Sequence, residues 1–327
     1  MANDSRYPLQ PAVADPFWLV GFGRPVPHLL DTSVLFRELH GLAARGRAPL
    51  LGAAQVGQAL LFVPAHVEVE IVEKLPKIAR AARVPLDTVA AAWRQYATQV
   101  RVVDAAPAEH DPRRVELAAD DPDDVGFADL VALMGPILAF STDTDLTERG
   151  LATDQWRDVP VLTMQIVSAD YAVGVPPTAA GYAIYHAIGF ARRNPEIALL
   201  VGLLALLFVG PWGPERTRLT SDRARSLGRA SLNAMVKVME MRAQATEQLA
   251  ARLVPGSGNE TLRTIVAALS REREPIALET LTARLYDQLE EDELEEILHA
   301  VPVFVDVGEG WQLGRPVTLL NAATDTA

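Results

Sequence analysis

Four short apolar runs in the first half of this chain, each followed by a stretch of helical period, restrict it to one fold class. They lie at residues 27–30, 59–63, 100–103 and 137–140. Such runs have no polar face, so strands built from them must be covered on both sides. Alternation of strand and helix then implies βαβ units, an α/β fold with a mostly parallel sheet flanked by helices. The expected domain covers 25–165, behind an irregular Pro- and Gly-bearing segment at 1–24.

Local signals predict the intervening helices. The first runs over 34–45 and is ended by Gly46 and Pro49. After the second strand, Pro64 suits a first helical turn, and Val67, Ile71, Leu75, Ile78 and Ala82 share one face. Pro76 falls inside that helix and is expected to kink or split it. A helix over 86–99 takes Asp87 as its cap. A polar, proline-bearing loop then leads to Asp121-Pro122-Asp123-Asp124 and a helix over 126–134, stopped by Gly135 and Pro136.

Acids recur where strand or loop meets helix. Asp31 follows the first strand, Glu68 and Glu70 lie in the first turns after the second, Asp121 and Asp124 precede a helix, and Asp143 and Asp145 follow the fourth strand. In a parallel sheet these positions share the rim at the carboxyl ends of the strands. Crowded carboxylates repel one another unless protons or a cation neutralise them. With no cysteine in the chain and no clustered histidine, oxygen donors suit Mg²⁺ or Mn²⁺ rather than Zn²⁺. Each block taken alone also serves as a helix cap or a solvated first turn.

Together the blocks Leu29-Leu30-Asp31-Thr32-Ser33, Val63 to Glu70, Asp121 to Asp124, and Ser141-Thr142-Asp143-Thr144-Asp145 resemble the PIN-domain family. That family comprises metal-dependent ribonucleases, many of them toxins of bacterial toxin–antitoxin pairs. The resemblance implies that Asp31, Glu70, Asp124 and Asp143 are metal ligands and that Asp145 is an outer partner of a metal-bound water. Glu70 fits the family's helix acid better than Glu68. Thr32, Ser33, Asp121 and Ser141 would support the ligands, and Ser141-Thr142-Asp143 departs slightly from the family's Thr-Gly-Asp. Phosphate contacts are sought among Arg37, Arg45, Arg47, Lys74, Lys77, Arg80 and Arg83, whereas His66 reads as a surface residue at a helix start.

The second half follows a different pattern. Residues 197–213 carry no charge, and at seventeen residues they stand at the lower edge of the ~17–25 needed for a membrane span. With the uncharged stretch upstream they form an apolar helical hairpin over 173–213, turning at Arg192-Arg193. A membrane hairpin would leave those arginines outside, against the positive-inside tendency; a buried or interface helix is the alternative, so membrane attachment stays open. Residues 214–254 carry 8 basic and 4 acidic residues and form an amphipathic helical region, with Leu232, Met235, Val236 and Met239 facing the core. Pro255-Gly256-Ser257-Gly258 reads as a linker.

Beyond it, 258–318 is expected to hold three helices and a β-hairpin, a winged-helix-like α+β module. Its third helix is acidic from Glu290 to Glu296 and would be repelled by phosphate, so its expected partner is a protein. The whole-chain net charge of −12 likewise argues against a coat of nucleic acid held by bulk charge. The absence of cysteine fits a cytoplasmic location, and the first ten residues show no secretory signal. The reading is a Mg²⁺- or Mn²⁺-dependent ribonuclease, with RNA as substrate and an antitoxin or a second copy as further partners. Its rival is a non-catalytic binding or scaffold protein acting through the acidic module, at a membrane if the hairpin inserts.

Overall fold

The computed structural model describes residues 25–104, 111–173, 221–285 and 288–318. Among these, 25–161 and 249–318 form one compact unit, while 162–173 and 221–248 belong to a second. The first unit is α/β. Its five-stranded sheet has the order β4-β1-β2-β3-β7, with β1 at Val26–Leu30, β2 at Ala59–Pro64, β3 at Val100–Val103, β4 at Leu138–Phe140 and β7 at Arg315–Pro316. The first four are mutually parallel; only β7 runs antiparallel, on the outer edge of β3.

Every residue of β1, β2 and β4 is buried, His28 of β1 included, as strands covered on both faces require. In register, Leu29 of β1 stands between Phe62 of β2 and Ala139 of β4. Helices α1 (Thr32–Arg45), α3 (Ala65–Ala82) and α4 (Leu86–Ala97) follow β1, β2 and the α3 turn respectively, while α6 (Val125–Met134) precedes β4. All four parallel strands therefore end on one rim.

Several local expectations change. Pro76 does not divide α3, which runs unbroken for 18 residues. One ladder bond is lost at a proline, but Val67, Ile71, Leu75, Ile78 and Ala79 bury a continuous stripe on both sides of it. Asp87 is in the first turn of α4, and Pro85 takes the cap position. Two helices stand where the sequence suggested a helix end and a loop: α2 (Pro49–Gln55) and α5 (Pro112–Asp120). Each begins with a proline, Pro49 read as a helix stop and Pro112 lying in the stretch read as a loop, since proline lacks only the N–H that a first-turn residue leaves unused.

The C-terminal residues α10 (Glu260–Leu269), α11 (Leu278–Leu285) and α12 (Glu291–Ala300) precede an antiparallel hairpin of β5 (Phe304–Asp306) and β6 (Trp311–Leu313). They share one core with the sheet: Ile265, Leu269, Leu281, Leu294 and Trp311 belong to the same buried cluster as Leu29, Phe62, Phe127 and Ala139. The stretch read as a linker is packed. A Cβ on Gly135 would lie 2.2 Å from the Gly256 nitrogen. Ser257 Oγ donates to Asp111 Oδ2 at 2.6 Å, and Val254 and Ile137 exchange backbone hydrogen bonds of 2.8 and 3.1 Å.

Beyond α8 (Val159–Val173), in the second unit, α9 (Ser221–Ala250) buries Met239, Arg242, Ala245 and Thr246. Val236, expected on that face, is 43% exposed. No helix among the described residues is long and apolar enough to cross a membrane. The apolar hairpin expected over 173–213 lies almost wholly outside them.

Candidate metal centre

Asp31 leaves β1 at the centre of the rim, its N–H donating to the Phe140 carbonyl of the neighbouring strand at 3.0 Å. Its carboxylate is 5% exposed and fully engaged. Oδ1 accepts from Thr32 N at 2.6 Å, and Oδ2 accepts from Ser33 N at 3.2 Å and from Ser141 Oγ at 2.7 Å. The capping role and the site role thus coexist in one residue. Ser141, fully buried at the end of β4, also accepts from Asp143 N at 2.9 Å, and Ser33 Oγ accepts from Thr142 N at 2.9 Å. These bonds sew the β1 and β4 ends together, so that Asp31 and Asp143 cannot move independently.

The other acids arrive from three directions. Glu70, in the second turn of α3, accepts from the Thr32 hydroxyl and from Lys74. Burial works to raise its pKa, but the Lys74 and Thr32 hydrogen bonds outweigh it and hold the carboxyl below its ordinary value. Asp143 caps α7 (Thr144–Glu148), accepting from Asp145 N at 2.8 Å. Asp145 pairs with Arg149 at 3.1 Å, and Arg149 also binds Asp120. Asp121 accepts from Asp123 N at 3.1 Å in the 3₁₀ turn Pro122–Asp124 that delivers Asp124.

Asp124 shows that the rim is one electrostatic site. Its pKa is pushed up to about 7, first by burial and then by the charges of Asp31, Asp121, Asp143 and Glu70. Each of the side chains whose charge acts on it is an acid. Carboxylates that share a pocket disfavour one another's charged forms, and Asp124 bears the shift.

Among the described residues no three Asp, Glu or His side chains are grouped tightly enough to hold an ion. Asp31, Glu70, Asp143 and Asp145 are each turned onto protein donors instead. The chemistry of the donor set nevertheless fits a hard divalent cation: the acids bring oxygen only, and their mutual repulsion is what such a charge relieves.

Two residues take on a different character from that read in the sequence. His66 is half-buried among Glu70, Asp31 and Asp123, whose charges oppose the burial that lowers its pKa. Its ring packs on Gly126, where a Cβ would come within 3.3 Å, and its Nε2 is buried without a hydrogen-bond partner. Its place two residues after a strand end was the available signal. Glu68 faces away from the acids, onto Arg315 at 2.6 Å. Of the basic residues considered for phosphate, Arg37, Arg45, Arg47, Lys77, Arg80 and Arg83 are exposed, and Lys74 is held by Glu70.

The fold and site define an α/β protein with an acid-crowded rim at the carboxyl ends of a parallel sheet. No protein-family profile matches the chain, and neither a curated protein nor a solved structure does.

Proposed function

We propose that this chain is a PIN-type ribonuclease dependent on Mg²⁺ or Mn²⁺, hydrolysing RNA phosphodiesters in the cytoplasm. The observation that carries the reading is the arrangement of Asp31, Glu70, Asp124 and Asp143 at the carboxyl ends of one parallel sheet, with Ser141 and Thr32 tying the first, second and fourth together. Asp31, Glu70, Asp124 and Asp143 would hold the cation. When bound, it supplies charge neutralisation at the phosphate and an activated water. Ser141 and the Thr32 and Ser33 N–H groups orient Asp31, while the Thr32 hydroxyl ties Glu70 to the same turn. Asp124 would serve as a ligand in its deprotonated form, and Asp145, bridged to Arg149, would act as an outer partner. A toxin role, with an antitoxin or a second copy as partner, follows from the family resemblance.

A second reading has one observation in its favour. Glu291, Asp292, Glu293, Glu295 and Glu296 on α12 are all exposed while Leu294 and Leu298 are buried. A winged-helix-like module with this face would bind a basic protein surface, with or without catalysis at the rim.

The test is Mn²⁺-dependent cleavage of a mixed RNA pool by the full chain, because residues 249–318 complete the core of the first unit. Cleavage that disappears in Asp31→Asn and Asp143→Asn is the expected result. Cleavage that survives both substitutions, or a wild-type chain that never cuts, sinks the nuclease reading.

A further inference from the structure

The last strand is fastened to the first unit by more than its ladder. Gly314 turns the chain from β6 into β7 with φ +72°, at a point where a Cβ would lie 2.7 Å from the Val102 carbonyl oxygen. β7 then pairs with β3, Arg315 opposite Val102 and Pro316 opposite Arg101. From there Arg315 reaches α3. Its Nη2 donates to Glu68 Oε2 at 2.6 Å and its Nη1 to Glu68 Oε1 at 3.2 Å. The Thr318 N–H donates to the same Oε1. A bidentate guanidinium–carboxylate pair fixes direction as well as distance, and the Glu68 side chain is only 11% exposed.

The contact falls in the first turn of α3, on the helix that buries Val67 and Ile71. Pro64, at the cap position, makes no side-chain hydrogen bond to the first turn. Frayed first turns are ordinary when their N–H groups go uncapped. Here the first turn carries Glu68, and Glu70 follows two residues later, on the side of the helix that meets Thr32. The helix start is therefore gripped from two sides, by Thr32 through Glu70 and by the C-terminal segment through Glu68.

We infer that Arg315 and the Thr318 N–H form a clamp on the start of α3 that positions Glu70, making the C-terminal segment a working part of the acidic site. Arg315 is a positioning residue: it acts through Glu68 and the helix, not on the substrate. The clamp itself stands on the geometry above; its consequence for the cation rests on the function proposed in the preceding subsection. Any partner that drew β7 off the sheet edge would loosen Glu70 by the same route.

Amide hydrogen exchange on the full, metal-free chain tests the clamp, and Mn²⁺ titration calorimetry tests its consequence. In Arg315→Gln and in Glu68→Gln the amides of residues 66–72 should exchange about tenfold faster, the amides of β1 and β2 keeping their protection. Arg315→Lys should recover part of that protection. Thr318→Pro removes a single donor at an exposed edge, and its smaller acceleration reports on the clamp even if the charge variants fold poorly. Mn²⁺ affinity should fall about tenfold in Arg315→Gln, the order found when a partner that orients a ligand is lost. The double variant Arg315→Gln/Glu68→Gln should bind no more weakly than either single one, because both remove the same contact.

Unchanged exchange at 66–72 in Arg315→Gln and Thr318→Pro overturns the clamp. Faster exchange with unaltered Mn²⁺ affinity overturns the positioning of Glu70. A wild-type chain that takes up no Mn²⁺ defeats the metal reading and the positioning of Glu70 with it, while the exchange data still decide the clamp.

Discussion

Asp124 and Glu38 are carboxyls of the same compact unit, each raised to about 7, and they reach that value by different routes. Glu38, on α1, is 1% exposed. Burial lifts it, and every other influence pulls it back: hydrogen bonds from Leu50 N at 3.0 Å, Leu51 N at 3.5 Å and the Tyr96 hydroxyl at 3.3 Å, then the charge of Arg157. It caps α2, whose own cap residue Ala48 has no side-chain acceptor to offer. Asp124 is also lifted first by burial, but its neighbours Asp31, Asp121, Asp143 and Glu70 all push the same way. Glu38 is thus a helix-capping fitting whose hydrogen bonds all fall on Oε2, while its buried Oε1 has no hydrogen-bond partner. A carboxyl lifted by other carboxylates belongs to a site whose charge is unbalanced, and a cation distinguishes the two.

Substitution should separate them most sharply in catalysis. Asp124→Asn is expected to lower Mn²⁺-dependent RNA cleavage by at least about a hundredfold, the upper order for losing even an outer partner of a metal ligand. Glu38→Gln should stay within about twofold of wild type. Comparable losses in both would erase the distinction.

Stability comes next. Because the folded value of Glu38 lies above its ordinary 4.5, its contribution is full below about pH 4.5 and is lost as pH rises through about 7. Glu38→Gln should therefore be more stable than wild type at pH 8 by about 2 kcal/mol, seen as a rise of several degrees in Tm. That gain should vanish at pH 4. Denaturant titrations at the two pH values check the sign.

Asp124→Asn should behave likewise in chelator, with full relative stability below about pH 4 and the loss again falling through about 7. The gain at pH 8 is smaller, about 1 kcal/mol, since solvent reaches this carboxyl and screens its neighbours. A variant both steadier and inactive would mark Asp124 as a residue kept for function.

The smallest effect is the most selective. At pH 7 Asp124 carries its proton about half the time, so Mn²⁺ binding should release about half a proton that Asp124→Asn does not release. Calorimetry in buffers of different ionisation enthalpy reads this directly. Release that persists in Asp124→Asn, or that depends on Glu38, contradicts the assignment of roles.

Much of the first unit was legible because its signals are local. Val26–Leu30 and Ala59–Pro64 are buried on both faces and so are written as apolar runs, broken only by the buried His28. Asp31 follows such a run and precedes a helix, so its place on the rim could be read from order alone. Pro49 was misread because a proline ends one helix and begins another with the same ring, and the helix that Pro112 opens was hidden in a polar stretch of loop composition. Pro255 to Gly258 has the composition of a linker, yet Gly256 is small because it lies against Gly135, a reason visible only when both segments are in place.

Chain order and apolar period by themselves determined a parallel sheet and a set of acids at its carboxyl rim, since both depend on residues a few positions apart. Tertiary structure alone decided how those acids differ. Glu68 and Glu70 are near twins in sequence, but Arg315, 247 residues away, takes the first, and Thr32 takes the second. The raised carboxyl of Asp124 was likewise decided by the fold, because it comes first from burial and then from acids on Asp124's own turn and on three other segments.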